Sequence, residues 1–334
     1  MSKKRELGQF YTTNAKYITE GLLDVFPKGA TIVEPCAGNW DLINLVKDKY
    51  KVEAYDLDPK NDETKKRDSI LNPPNYKGKW ILTNPPYLHK TRTKERAVFE
   101  KYNVQDLYKA SMITMLEAEG GILIIPLNFI CDKDVEFRKR FLSKFKIMKF
   151  KVFEKPVFDD TLIPICAFSF IKKENIEQDL NTIFLPSGEQ KKFKIKKDEG
   201  YSIGTEVFNL KQSKVKVKRL TVKSDVPPLT YLHLRTIDSG TEQGKIEMFF
   251  DKNECFNRGD SSSYITIDFN KHIPLKYQKA LVRDFNKELN NYRKKYKSMF
   301  MTCFKGCGRD MIRRSLSYTL GYKIISNILY KYGF

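Results

Sequence analysis

Short apolar runs that alternate with helix-period segments constrain this chain more than any other feature. Residues 30–33, 51–55, 80–83, 121–125 and 166–171 read as buried strands, and residues 17–26, 41–46, 104–119 and 135–142 carry apolar side chains at helical spacing. Strands alternating with helices in this way predict an α/β fold with a doubly wound, mostly parallel sheet. After residue 172 the composition turns polar and lysine-rich. β-like runs follow at 181–185, 214–222 and 245–250, then a long helix over 275–300 and a terminal helix over 315–332. Two regions are expected, residues 1–172 and a C-terminal α+β region over 173–334.

In open sheets of this kind ligands bind beyond the carboxyl ends of the strands. Three expected strands end on a residue able to meet a ligand there: Glu34, Asp56 and Asn84. A carboxylate after the second strand suits a ribose diol, because it can accept from both hydroxyls. The turn Arg67-Asp68-Ser69-Ile70 offers a carboxylate for an adenine amino group and an aliphatic side chain for its ring. Each acid alone also fits a loop or cap. Together, in this order, they describe a nucleoside pocket.

Beside that pocket, Asn84-Pro85-Pro86-Tyr87 follows the run 80–83 directly. Two adjacent prolines fix φ and remove two N–H donors, so carbonyl oxygens at the strand end are left as acceptors with no local donor. An amino group can dock there. If the Asn84 side-chain oxygen and the Pro85 carbonyl accept its two hydrogens, the lone pair of a conjugated, weakly nucleophilic nitrogen turns toward an incoming methyl group. Tyr87 would then supply an aromatic plane for stacking. The other reading of the tetrapeptide is a strand-ending turn.

The formal net charge is +20, in a chain with 41% hydrophobic and 13% aromatic residues. That composition is too apolar for disorder and its charge points to a polyanion, nucleic acid first, although a solvated lysine-rich surface has the same composition. Six cysteines at 36, 131, 166, 255, 303 and 307 form no CxxC pair and there are three histidines, so no metal site is expected. The polar start Met1-Ser2-Lys3-Lys4-Arg5 and the short longest apolar run, 120–125, predict no secretory leader and no membrane span, hence a cytoplasmic location.

The ordered set of motifs is more specific than any of its parts. Gly8-Gln9-Phe10-Tyr11-Thr12-Thr13, Val33-Glu34-Pro35-Cys36-Ala37-Gly38, Asp56, Asp68, Asn84-Pro85-Pro86-Tyr87 and Pro156-Val157-Phe158 cover roughly the first half of the chain. In this order they resemble the adenine-N6 DNA methyltransferases of the gamma arrangement, restriction-modification-like enzymes whose target-recognition region lies toward the C-terminus. The resemblance implies a catalytic domain over 1–172 with the S-adenosylmethionine-dependent methyltransferase fold, and target recognition and DNA binding over 173–334. It implies that residues 9–13 line the S-adenosylmethionine pocket, Gln9 and Thr13 at its ends and Tyr11 and Thr12 in contact. Glu34, Ala37 and Gly38 would lie near the methionine part, Asp56 on the ribose, and Asp68 with Ile70 on the cofactor adenine. Phe158 would pack against an extruded base opposite Tyr87. One departure concerns the loop after the first strand, where the family usually has a second glycine and this chain has Trp40.

The implied reaction is direct displacement on an adenine rotated out of duplex DNA, at an extrusion cost of roughly a few kcal/mol that stacking helps to offset. Asn84 and Pro85 supply positioning. The motif contains no general base, and none is required, because the nitrogen becomes acidic as it gains the methyl group. The implied partners are duplex DNA and a restriction endonuclease of the same site, and a monomer is expected. On the long helix, Lys276, Lys279, Arg283, Lys287, Lys294 and Lys297 form a stripe opposite Leu281, Phe285, Leu289, Tyr292, Tyr296 and Phe300, and Arg309, Arg313 and Arg314 follow. These residues read as phosphate contacts or as a solvated face. Arg219, Arg235 and Arg258 are candidate base readers. Two other classes share the motif logic, RNA or protein-glutamine methyltransferases and a nucleic-acid-binding module without turnover.

Overall fold

The computed structural model describes residues 10–131, 134–159, 161–174, 177–220, 230–238, 246–255, 263–303 and 313–334, with the side chains of Thr302 and Cys303 excepted. Gln9 and Arg258 therefore lie outside the described residues, as do Gly8, Cys307 and Arg309. The chain forms two compact units, one of residues 1–130 and 134–201, the other of residues 131–133 and 202–334.

The first unit is built on nine strands: β1 (Thr31–Glu34), β2 (Lys51–Asp56), β3 (Lys65–Lys66), β4 (Trp80–Thr83), β5 (Gly120–Pro126), β6 (Phe145–Phe153), β7 (Ile165–Lys172), β8 (Glu177–Leu185) and β9 (Gln190–Lys196). Their order across the sheet is β3-β2-β1-β4-β5-β7-β6-β8-β9. Strands β3 to β5 run parallel, β7 is antiparallel to both β5 and β6, β8 is parallel to β6, and β9 closes antiparallel on β8. The sheet is thus mixed and mostly parallel. Ile32 pairs with both Val52 and Trp80, so β1 sits between β2 and β4 and brings Glu34, Asp56 and Asn84 to one edge.

Burial explains why these runs are strands. All seven residues of β5 are buried, as expected for an interior strand covered on both faces. Beyond it Phe129 stacks on Phe168 at 5.4 Å and Phe141 lies 4.8 Å from Phe145.

The helix expected over 135–142 forms at Val135–Leu142, whereas the others are shorter than the periodicity predicts. The expected 17–26 segment is a helix at Ala15–Thr19 and a 3-10 turn at Leu23–Val25, because Gly21 takes a left-handed φ of +68° and the buried Lys151 ammonium donates to the carbonyls of Tyr17, Ile18 and Glu20. The expected 41–46 helix is a 3-10 turn at Ile43–Leu45. Within 104–119 the helix spans Leu107–Thr114, preceded by Asn103 at φ +51°.

The run 181–185, expected to lie beyond the first region, is part of β8 in the first sheet. Leu180 faces Phe193 across the β8–β9 pair, and Lys192 and Lys194 reach Asp179 and Glu177 at 2.8 and 2.7 Å. The outward lysines of β9 leave a charged sheet edge that resists pairing with another chain.

In the second unit β10 (Val217–Arg219), β11 (Leu232–Arg235), β12 (Glu247–Phe250) and β13 (Tyr264–Phe269) form an antiparallel sheet ordered β10-β13-β11-β12. Leu232, Leu234, Met248, Ile265 and Ile267 are buried in one core with Leu281, Phe285 and Leu289 of the helix Leu275–Tyr296 and Ile324, Ile325 and Leu329 of the helix Tyr318–Lys331. The Asn286 amide bonds both the N–H and the carbonyl of Met248 at 2.8 Å. The long helix stops short of residue 300 because Lys297 and Ser298 adopt φ values of +50° and +58°. Among the described residues, no helix is long and apolar enough to cross a membrane.

Candidate cofactor and amine-docking site

The site begins at the loop that leaves β1. Glu34 is buried and its Oε1 accepts from the Cys36 N–H at 3.0 Å. Burial pushes the Glu34 carboxyl well above its ordinary range, the Asp56 charge pushes it further, and the Cys36 N–H opposes them. The loop then turns through Gly38 at φ +50°, where a Cβ would stand 3.3 Å from the Tyr11 ring. Asp56, at the end of β2, receives the Gly38 N–H at 2.8 Å on one oxygen and the Asp58 N–H at 2.8 Å on the other. Asp68 turns its own segment in the same manner, Oδ1 accepting from Ile70 and Leu71 at 3.0 and 2.9 Å.

Trp40, the departure noted in the sequence, holds φ +69°, the left-handed region that a glycine adopts without strain. Its indole Nε1 donates to Thr64 Oγ1 at 2.7 Å and its ring packs on the small cluster of Ala37, Ile43 and Ala54. The backbone follows the glycine path while the side chain turns away and anchors the loop.

These elements enclose a cavity of about 470 Å³, within the range of small-molecule sites. Tyr11, Gly38, Asp56, Asp68, Ile70, Asn84 and Pro86 line it. Thr12, Thr13, Glu34, Ala37, Pro85, Tyr87 and Phe158 are not part of the wall. Thr13 donates to Asp159 at 3.4 Å, Ala37 is buried in the Trp40 cluster, and Glu34 lies beneath Cys36.

The Asn84 amide stands at the cavity wall, its Nδ2 donating to the Phe10 carbonyl at 2.9 Å and to Thr12 Oγ1 at 3.0 Å. The Tyr87 hydroxyl lies between Asn84 Oδ1 and the Ile124 carbonyl, the latter at 2.9 Å. Tyr87 is 6% exposed and Phe158 4% exposed. Their centroids are 6.5 Å apart with planes at 45°, and Tyr87 also meets Phe10 at 5.5 Å and Tyr108 at 6.4 Å. Tyr87, expected to offer a stacking plane, is packed here into an aromatic floor by long-range neighbours that enclose its ring.

Two contributors were not read from the sequence. Ser69 lines the cavity with a buried hydroxyl that has no protein partner. The segment 88–107 supplies Leu88, Thr93, Glu95, Arg96, Phe99 and Leu107 to the wall. Its ends are joined by Leu107 N–H to Leu88 O at 2.9 Å and Lys90 N–H to Gln105 O at 2.8 Å, and Tyr102 donates to the Ile70 carbonyl at 2.6 Å. Ser69 could have been found from its place between Asp68 and Ile70. The polar run 89–96 carries no comparable signal.

In the second unit Lys276, Lys279, Arg283, Lys287 and Lys294 are exposed along one side of the long helix. Lys279 stands 5.9 Å over the Phe250 ring, and Arg283 Nε donates to Asp284 at 2.7 Å. Arg314 does not join this surface. It is buried, its N–H donates to Asp238 at 3.0 Å, and its guanidinium meets the Met299 sulfur. Arg313 is half-buried and donates to the Asp238 carbonyl at 3.1 Å. Arg219 lies 4.9 Å over Tyr318, and Arg235 lies 5.1 Å over Tyr264 and 3.5 Å from Glu247.

No family model matches the chain, and no curated protein matches it. Solved structures do. A type I restriction-modification system assembly matches at 15% identity over 62% of this chain and 50% of that one, with a TM-score of 0.43. The methyltransferase subunit of a type I restriction-modification system from Streptococcus thermophilus matches at 15% over 53% and 47%, with a TM-score of 0.39. The type IIG restriction endonuclease BpuSI matches at 13% over 70% and 38%, with a TM-score of 0.41. The chain spans about half the length of the first two.

Proposed function

We propose that the protein is an S-adenosylmethionine-dependent DNA methyltransferase that modifies the N6 amino group of an adenine extruded from duplex DNA. The observation that carries this reading is the Asn84 amide at the wall of a cavity shared with Asp56 and Asp68.

The lining suits that cofactor. Asp56 and Asp68 are carboxylates for ribose hydroxyls and an adenine amine, and Ile70 and Leu57 are apolar surfaces for a ring. The buried Ser69 hydroxyl still needs a partner, and the glycine at 38 keeps the loop close to Tyr11. When bound, the cofactor supplies an electrophilic methyl group on a sulfonium sulfur.

The residues of the chain would orient the acceptor. A carbonyl-type oxygen has two lone pairs, and the Tyr87 hydroxyl occupies one of those on Asn84 Oδ1, so the second is available to an amine hydrogen. The Pro85 carbonyl, next to another proline, accepts the other. Tyr87 thus holds Asn84, and base stacking requires the Tyr87–Phe158 pair to open. No residue need remove a proton before transfer. On the second unit, the exposed Lys276, Lys279, Arg283 and Lys287 would follow phosphates, with Lys279 and Phe250 continuing the surface. A restriction endonuclease of the same site is the partner this role would imply.

Labelled S-adenosylmethionine offered with duplex DNA, structured RNA and a release factor tests the proposal. Label on DNA adenine is expected. Label only on RNA or on protein glutamine would assign the same site to another substrate, and no cofactor binding by calorimetry would leave a scaffold without turnover.

A further inference from the structure

We propose that Thr12 is a positioning residue for Asn84, fixing which end of the amide faces the docking amine; this rests on the methyl-transfer reading above. An asparagine amide can be turned by half a rotation with little change of shape, and only its partners decide where the oxygen lies. The Phe10 carbonyl can only accept, and at 2.9 Å it must meet the Nδ2 end. The second Nδ2 hydrogen goes to Thr12 Oγ1 at 3.0 Å. Thr12 is 5% exposed and does not line the cavity, so its hydroxyl meets the amide and not a ligand.

With both hydrogens held by residues 10 and 12, Oδ1 is directed to the side where the Tyr87 hydroxyl bonds it. The reversed amide would place oxygen against the Phe10 oxygen and a hydrogen-bearing nitrogen against the docking amine. Such an arrangement repels the substrate that the other accepts. The Phe10 carbonyl cannot be removed by substitution, so the side-chain bond from Thr12 is the part open to test.

Thr12→Val keeps the shape and deletes the acceptor, and Thr12→Ser restores it. In Thr12→Val the methylation kcat should fall roughly tenfold or more, the loss associated with one unpaired buried donor. The KM for S-adenosylmethionine and its calorimetric affinity should change less than about threefold, and Thr12→Ser should recover most of kcat. Independently of turnover, the Asn84 side-chain NH₂ signals should exchange slowly with water in the wild type and faster in Thr12→Val. Unchanged exchange, or a loss confined to cofactor affinity with no rescue by serine, overturns the assignment. If the wild type fails to methylate DNA, the reading of the reaction fails while the exchange measurement still decides the role of Thr12.

Discussion

One oxygen of the Asp56 carboxylate accepts the Gly38 N–H at 2.8 Å, so the end of β2 holds the loop that leaves β1. The same carboxylate lines the cavity. Asp56→Ala should therefore weaken S-adenosylmethionine binding roughly tenfold to a hundredfold, the range for charge-assisted hydrogen bonds. Calorimetry checks this, and affinity within twofold of the wild type would remove Asp56 from the ribose site.

If the Asn84 amide orients the acceptor as proposed, Asn84→Ala should lower methyl transfer by about a hundredfold or more and leave cofactor affinity within a few-fold. Full turnover by this variant would falsify the docking mechanism.

Trp40 gives a comparison between two truncations. Both Trp40→Ala and Trp40→Gly lose the Thr64 bond and the packing on Ala37 and Ile43. Only glycine takes φ +69° without strain. Trp40→Gly should thus be more stable than Trp40→Ala by about 1 kcal/mol in urea unfolding, reversing the usual order of the two residues. Alanine proving the more stable would mean that the loop relaxes.

Glu34 should make stability fall as pH rises. Its folded carboxyl titrates well above the ordinary 4.5, because burial disfavours the charge, so the native state holds a proton that the unfolded chain has released. Stability is highest below pH 4.5 for this group and declines from there through the raised folded value. Glu34→Gln should flatten that decline in melting curves taken at stepped pH. An identical slope in both proteins would show that Glu34 ionises freely.

Lys279→Glu with Arg283→Glu should reduce duplex affinity and make it less sensitive to salt, by roughly one unit of log–log slope for each phosphate no longer neutralised. Binding assays across a salt series measure this; parallel slopes would assign the stripe to a solvated face.

The strand ends were legible because their chemistry is local. Glu34, Asp56 and Asn84 follow apolar runs, and parallel pairing of β1 with β2 and β4 carries them to one edge. The extent of the sheet was not. β9 exposes lysines opposite the acids of β8, and a composition shift reports that polar face, whereas the alternate buried residues Leu180 and Phe193 join the two strands to the first sheet. The packing of Tyr87 was hidden for a different reason, since Phe10 and Phe158 lie 77 and 71 residues from it in the chain. Segment 88–107 has polar residues whose place in the wall depends on the closure of its ends, which no local pattern encodes.

Phe10 belongs to the cavity wall and, through its carbonyl, to the Asn84 latch. On the methyl-transfer reading, one residue would therefore join the chamber for the methyl donor to the aim of the acceptor. On that reading, displacing Phe10 would disturb the cavity and the Asn84 amide together.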